Sequence, residues 1–298
     1  MLDYNALSAL AAVIREGSFE AAARALHVTP SAVSQRIRLL EERIGCALVV
    51  REQPCRATPT GQHLCRHVDQ VRLLEQQLRE AVPGVGGADG ARVGVPIAVN
   101  ADSLATWLTP ALAALTLTAP LLIEVAVDDQ DHTAEWLRSG AVLAAVSASA
   151  HASAGCNSRA LGAMRYVAAA SPAFVARHFS AGVDGASLAQ APSLLFNARD
   201  ALQSRWVLAV CGRHVDLPRH VLPSSEAFVT AALAGMGWGM HAQSLIKAHL
   251  AAGTLVELVA GTPLDVPLYW HSARAASGLL ERLSGAVIAA AAAALLPP

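Results

Sequence analysis

Ser31, Ser34, Gln35 and Arg38 recur at i, i+3, i+4 and i+7. On a helix that spacing draws one polar stripe. The stripe holds no acidic residue; Glu41 and Glu42 come only after it. Short hydroxyls at a helix start, with an amide and a guanidinium further along, match the base edges of a DNA major groove. Gln pairs bidentately with adenine and Arg with guanine. Thr29 and Pro30 stand where the amides of a helix N-terminus can hold a phosphate. Arg51 and Arg56 flank the turn Glu52-Gln53-Pro54 and suit phosphate or minor-groove contacts. The plain alternative is a solvated helix face. An apolar stripe behind it, Val33, Ile37, Leu40 and Ile44, and a capped start weigh against that alternative.

A second set of groups suits a small charged ligand. Asn100-Ala101-Asp102-Ser103 lies between a strand and a helix, and Ser225 and Glu226 open another helix. Both starts offer amides and hydroxyls for a carboxylate and an acid for an α-ammonium. Asp128, Asp129 and Asp131 follow a strand and suit a cationic side chain. Trp107, Trp270 and His271 are candidates for the pocket wall, by cation–π contact. Ser147 and Ser149 are hinge candidates. Each has an equally good structural reading. Asp102, Ser103 or Ser225 suits an N-cap, Glu226 complements a helix dipole, the Asp run suits a solvated loop, and both Trp suit the core. His63 and His67 have zinc-ligand spacing, but Leu64 replaces the Glu of H-E-x-x-H and no third ligand is apparent. No nucleophile elbow or P-loop occurs. The expectation is a protein that is not an enzyme, without metal or cofactor.

Positioning these groups takes several elements. Asp3 caps a first helix that Gly17 ends; Ser18 caps Phe19–Leu26; Thr29 and Pro30 open a third helix that Gly45 closes near Ile44. Strands at 47–51 and 55–57 enclose the turn. The spacing predicts a helix over 60–80 capped by Thr60, with Leu64, Val71, Leu74 and Leu78 forming a seam for pairing between subunits. Glycine-rich 83–90 reads as a linker. From Arg92 on, strands (93–99, 121–127, 142–147, 164–170, 193–196, 219–222, 237–241, 254–258, 266–271) alternate with helices (103–115, 130–138, 172–178, 225–234, 243–252). That pattern implies βαβ units, and its length fits two subdomains crossed twice by the chain.

Composition bounds the function. Of 298 residues, 54% are hydrophobic and 15% charged, which excludes a disordered chain. The 22 Lys and Arg against 23 Asp and Glu give a net charge of −1, which excludes a uniformly basic coat. A DNA contact must be local, and residues 31–60 carry five Arg against three Glu. Five cysteines without a C-x-x-C pair fit a reduced, cytoplasmic chain. The N-terminus lacks a basic signal-peptide region. The longest apolar run, Ala286 to Leu296, is too short to span a bilayer and reads as a core-facing helix, so no membrane partner is expected.

The stretch AARALHVTPSAVSQRIRLLEERIGCALVVR, followed by Thr58-Pro59-Thr60-Gly61, resembles the N-terminal domain of LysR-type transcriptional regulators. AVNADSLATWLTPAL (98–112), PSSEAFV (223–229) and PLYWH (267–271) look like the LysG/ArgP branch, which regulates export of basic amino acids and includes proteins described as inhibitors of replication initiation. The resemblance covers essentially the whole chain. Lys247 as the only lysine departs from the family's usual surface. The implied fold is α+β overall: a winged helix-turn-helix (1–60), a linker and dimerisation helix (61–82), a hinge (83–91) and a two-lobed α/β effector domain (92–298) like a periplasmic binding protein. Lobe I would comprise about 92–148 and 271–298, and lobe II about 149–270. The implied function is regulation of transcription by lysine or arginine bound between the lobes, controlling a basic amino-acid exporter. The implied partners are double-stranded DNA, further copies of the chain in a dimer or tetramer, and RNA polymerase. The alternative is an architectural or replication-inhibiting DNA binder without an effector; an acid-lined cleft argues against it.

Overall fold

Side-chain caps open the N-terminal helices. The structure, a computed structural model, describes residues 2–82, 93–118, 121–128, 136–137, 141–152, 155–274 and 278–297. Asp3 accepts from the amides of Asn5 and Ala6 to open α1 (Tyr4–Glu16), and Gly17 closes it. Ser18 caps α2 (Phe19–Ala25) through the Ala21 amide. Thr29 caps α3 (Pro30–Ile44) through the Ala32 amide, with Pro30 in the first turn and Gly45 at the end. Val33, Ile37 and Leu40 are buried against α1 and α2, as expected, whereas Ile44 is exposed. The wing is shorter than expected: β1 (Val49–Val50) and β2 (Arg56–Ala57) pair antiparallel.

α4 (Pro59–Ala81) starts earlier than its expected cap. Thr58, not Thr60, accepts from the Gly61 amide, because Pro59 takes the first helical position, where a missing N–H costs no helical bond. Gly61 is there for space: a Cβ would overlap the carbonyl oxygen of Leu48 at the entry to the wing. Gly61→Ala should therefore destabilise the N-terminal domain by about 2–3 kcal/mol, read by thermal unfolding. An unchanged melting temperature would mean that the wing backbone yields without cost.

The rest of the chain is α/β. β3 (Val93–Asn100) runs parallel to β4 (Leu121–Asp128) and to β5 (Ala144–Ser147). Between β3 and β4 lies one helical run: α5 (Ala101–Ser103), a π-helical turn (Leu104–Leu108) and α6 (Thr109–Thr116). The long β6 (Cys156–Ala170) is followed by α7 (Pro172–His178), α8 (Gly185–Leu188), β7 (Ser193–Leu195), α9 (Leu202–Cys211), β8 (Arg219–Val221) and α10 (Ser225–Leu233). The chain ends with β9 (Gly239–Ala242), α11 (Gln243–Ala251), β10 (Val256–Glu257), β11 (Leu264–Ala273) and α12 (Gly278–Ala294). One sheet runs in the order β10-β6-β11-β5-β3-β4, with β9 also paired to β6, while β7 and β8 pair separately.

Two strands, not loops, join the lobes. β11 pairs with β5 from Tyr269 to Ser272 and with β6 along its whole length, with a shift of register at Leu268/Tyr269. The far end of β6 pairs with β9 and β10. The crossing therefore falls near Gly162 and Leu268 rather than at 149 and 270, and Trp270 lies in lobe I opposite Val146. Trp206, Trp238, Trp270 and Tyr166 are fully buried in a core that runs through both lobes. The expected hinge at 83–91 lies outside the described residues, as does the expected helix at 130–138 apart from Trp136 and Leu137.

Candidate functional site

The DNA face follows from α3. With Val33, Ile37 and Leu40 turned inward, Ser31, Gln35 and Arg38 are exposed and Ser34 is half-buried. Thr29 Oγ1 lies 3.0 Å from Ser31 Oγ, so the first turn is ordered by the cap. Arg38 Nε donates to Glu42 Oε1 at 2.9 Å. Glu42 thus reaches back to the stripe, although it follows it in sequence. The pair is solvent-exposed, so releasing Arg38 for a base costs little. Sequence reading missed Glu41, which accepts from the amides of Leu48 and Val49 and fixes the wing to α3. Arg51 lies 5.1 Å from the Phe19 ring centre, and Arg56 is exposed on β2.

The α4 seam divides in two. Leu64 is partly buried against the N-terminal core, and Val68 is buried within it. Val71 is half-buried, while Leu74 and Leu78 are each 50% exposed and Val82 is 41% exposed. Leu64 therefore belongs to its own domain, and the exposed apolar residues of α4 follow the half-buried Val71. Tyr4 Oη lies 3.1 Å from His67 Nε2, so His67 is engaged by α1. Among the described residues no group of His, Cys, Asp and Glu is arranged to hold a metal ion, and no helix is long and apolar enough to cross a membrane.

The candidate effector site is built around Asp102. Tyr166 Oη on β6 donates to Asp102 Oδ2 at 2.8 Å, and Ser225 Oγ at the start of α10 donates to Oδ1 at 2.6 Å. One carboxylate thus ties lobe I to lobe II. Burial holds its carboxyl above the usual carboxylate range; the two hydroxyls oppose that, and nearby Asp200 reinforces it. A carboxylate has roughly four lone-pair sites, so two hydroxyls leave room for a further donor. Beside it, Asn100 is buried with neither side-chain amide atom partnered among the described residues, and Ser103 is buried with its hydroxyl likewise unpartnered among them. Unsatisfied buried polar groups are rare and mark a place for a ligand or water.

The capping alternatives separate cleanly. Asn100 holds the N-cap position of α5 but makes no capping bond. Ser224, not Ser225, caps α10, which frees the Ser225 hydroxyl for Asp102. Glu226 is exposed in the first turn of α10, as its dipole reading implies. Asp128 pairs in register with Asn100 at the C-terminal end of β4; Asp129 and Asp131 lie outside the described residues.

Other expected wall residues are elsewhere. Trp270 is 1% exposed and donates from Nε1 to Ser284 Oγ on α12, so it is core and not pocket, because alternate residues of β11 face opposite sides of the sheet. Trp107 is likewise buried in the core, with its indole N–H unpartnered. His271 lies 2.8 Å from the Ser149 carbonyl oxygen, and its pKa is lowered by burial. Ser147 is buried and accepts from the Ser149 amide. Two residues of the cleft were missed. Tyr166 sits in an apolar strand run that reads as core. Asp200 is buried and accepts from the amides of Phe196 and Leu202 in what reads as a surface loop.

Comparison with known proteins identifies both domains. Residues 4–62 match the model described as "Bacterial regulatory helix-turn-helix protein, lysR family", and residues 90–292 match the "LysR substrate binding domain". The chain is 46% identical to the HTH-type transcriptional regulator LysG of Mycobacterium tuberculosis, over 97% of this chain and 94% of that one. It is 45% identical to the HTH-type transcriptional regulator ArgP of Pseudomonas aeruginosa, over 98% and 96%. The crystal structure of ArgP from Mycobacterium tuberculosis superposes with a TM-score of 0.84 at 44% identity, covering 100% of both chains. Full-length LysG from Corynebacterium glutamicum with bound effector Arg gives 0.73 at 34% identity, covering 99% of this chain and 100% of that one. Matched over both its helix-turn-helix and its substrate-binding domain, the chain belongs to the LysR family of DNA-binding transcriptional regulators, whose activity an effector sets.

Proposed function

We propose that the effector is a basic amino acid, arginine or lysine, held between the lobes. The observation that carries this reading is the Asp102 carboxylate, held by hydroxyls from Tyr166 and Ser225 with no cation among its partners in the described residues, and with the buried Asp200 nearby. Arginine or lysine offers two cations to these two carboxylates, whereas an amino acid with a neutral side chain offers only its α-ammonium. Asn100 and Ser103 supply donors for the ligand carboxylate, and Ser225, Glu226 and Asp128 border the site. LysG of Corynebacterium glutamicum has been solved with arginine as its effector, which supports the same class of ligand here.

In this reading Ser31, Ser34, Gln35 and Arg38 read bases, while Thr29, Pro30, Arg51 and Arg56 hold the backbone. A second copy of the chain pairs along Val71, Leu74 and Leu78, so that two α3 helices reach two half-sites, in a dimer or in a tetramer made of two dimers. The protein works in the cytoplasm on double-stranded DNA, contacts RNA polymerase there, controls a basic amino-acid exporter, and catalyses no reaction. The test is to select duplexes from a random pool and measure affinity for the winner by fluorescence anisotropy, with and without arginine. A shift in affinity or footprint with arginine is expected. Indifference to every amino acid would mark an architectural DNA binder instead. On the same duplex, Gln35→Ala should cost roughly 1–3 kcal/mol and relax preference at one base of each half-site. Arg56→Ala should weaken all sequences alike and flatten the salt dependence. Equal loss on selected and random DNA for Gln35→Ala would remove its base-reading role.

A further inference from the structure

One large apolar side chain stands among the polar groups on the outer face of α3. Leu39 is 57% exposed, more than any other large apolar residue described in the N-terminal domain, and it takes no part in that domain's core. A leucine within an amphipathic helix reaches the core when it lies on the inward stripe, as Val33, Ile37 and Leu40 do. Leu39 lies off that stripe. At about 100° per residue it sits about 40° round the helix from Gln35, on the side away from Arg38. It is one turn, about 6 Å, further along the axis. Ser31, Gln35 and Leu39 thus form one exposed row at i, i+4 and i+8.

The groups on either side of Leu39 indicate what it meets. On one side are Gln35 and Arg38, the amide and guanidinium suited to base edges. On the other, about 80–100° round from Gln35, are Arg43 and Arg36, at i+4 and i−3 from Leu39. Glu42 in the next turn is tied to Arg38 at 2.9 Å, so its charge is compensated. Base readers on one flank and guanidiniums on the other match the passage from the floor of a major groove to its phosphate edge. Leucine has neither donor nor acceptor to offer there. The apolar mark that the groove presents is the C5 methyl of thymine. Covering Leu39 with that methyl also takes both groups out of water, which hydrogen-bonding side chains beside it cannot do.

We propose that Leu39 is a further specificity-determining residue, which reads the C5 methyl of one thymine in each half-site. The inference rests on α3 as the base-reading helix. It adds to Gln35 and Arg38 an apolar contact that fixes thymine at a position beside the one Gln35 reads.

The experiment uses the full chain and the duplex it selects from a random pool. Each thymine is replaced in turn by deoxyuridine, which loses the methyl and keeps every hydrogen-bonding edge. Fluorescence anisotropy should show one thymine in each half-site where the change weakens binding about three- to fivefold, the contribution of one buried methyl. Leu39→Ala should weaken the parent duplex by a similar factor and bind the thymine and deoxyuridine duplexes alike. Leu39→Met keeps an apolar end and should retain the difference, as should Gln35→Ala, whose loss falls on another base. Leu39 is exposed and outside the core, so both of its variants should melt at the natural chain's temperature. Equal binding of every deoxyuridine duplex by the natural chain, or an undiminished deoxyuridine penalty in Leu39→Ala, would overturn the role of Leu39 while preference for the selected duplex stands. Equal affinity for selected and random duplexes would instead overturn base reading by α3, and this inference with it.

Discussion

Asp102→Asn is expected to weaken arginine and lysine binding at least about a hundredfold while leaving affinity for DNA alone unchanged. The carboxylate faces Ser225 and Tyr166 at 2.6 and 2.8 Å and lies near the charge of Asp200, in surroundings that raise its pKa. Removing the charge that meets a desolvated ammonium or guanidinium costs a few kcal/mol, roughly two decades of affinity. The substitution does not disturb capping, because Asn100 holds the N-cap position and Ser224 caps the opposing helix. Asn also keeps an acceptor for one of the two hydroxyls. The DNA face is in another domain, so it is unaffected. The pH dependence has a definite sign. A cationic ligand needs Asp102 ionised, and burial lifts its pKa, so affinity should fall as pH is lowered, beginning above the ordinary carboxylate range. Asp102→Asn should remove that dependence. Wild-type affinity in the variant, measured by titration with both amino acids, would remove Asp102 from the site.

The double change Val71→Asp with Leu78→Asp should convert the assembly to monomers. Val71 is half-buried and Leu78 half-exposed, and Leu74 lies between them on a helix whose earlier apolar residues are already used by the N-terminal core. An uncompensated charge in a buried helix pair costs about 3–5 kcal/mol. Neither residue belongs to the core of α1 to α3, so each domain should stay folded, as circular dichroism would report. Sedimentation velocity should show a single species of about one chain's mass, and affinity for a two-half-site duplex should drop with it. An unchanged sedimentation coefficient would place the subunit contact elsewhere.

What could be read from the chain was mostly local. Asp3, Ser18, Thr29 and Pro30 open helices, and Gly17 and Gly45 end them, because a cap depends on the next three residues only. The polar stripe of α3 was legible for the same reason. Thr58-Pro59-Thr60 offered two threonines, and proline's preference for the first helical position was the signal that selects Thr58. Long-range pairing was not legible. The register shift at Leu268/Tyr269 and the length of β6 decide where the lobes divide and which way Trp270 faces. Asp102 and Ser225 were legible as helix starts with chemistry, but not as partners 123 residues apart. Tyr166 was hidden in an apolar strand run, and only the fold brings its hydroxyl to Asp102. Asp200, flanked by Arg199 and Ala201, carried no signal separating it from a solvated loop.

Titrating the full-length chain with each of the twenty amino acids by calorimetry tests the central claim most directly. The expected result is saturable binding of arginine or lysine, weaker at low pH, with no comparable heat from neutral or acidic amino acids. Binding of neither cation, or equal binding of a neutral amino acid of the same length such as glutamine, would contradict it.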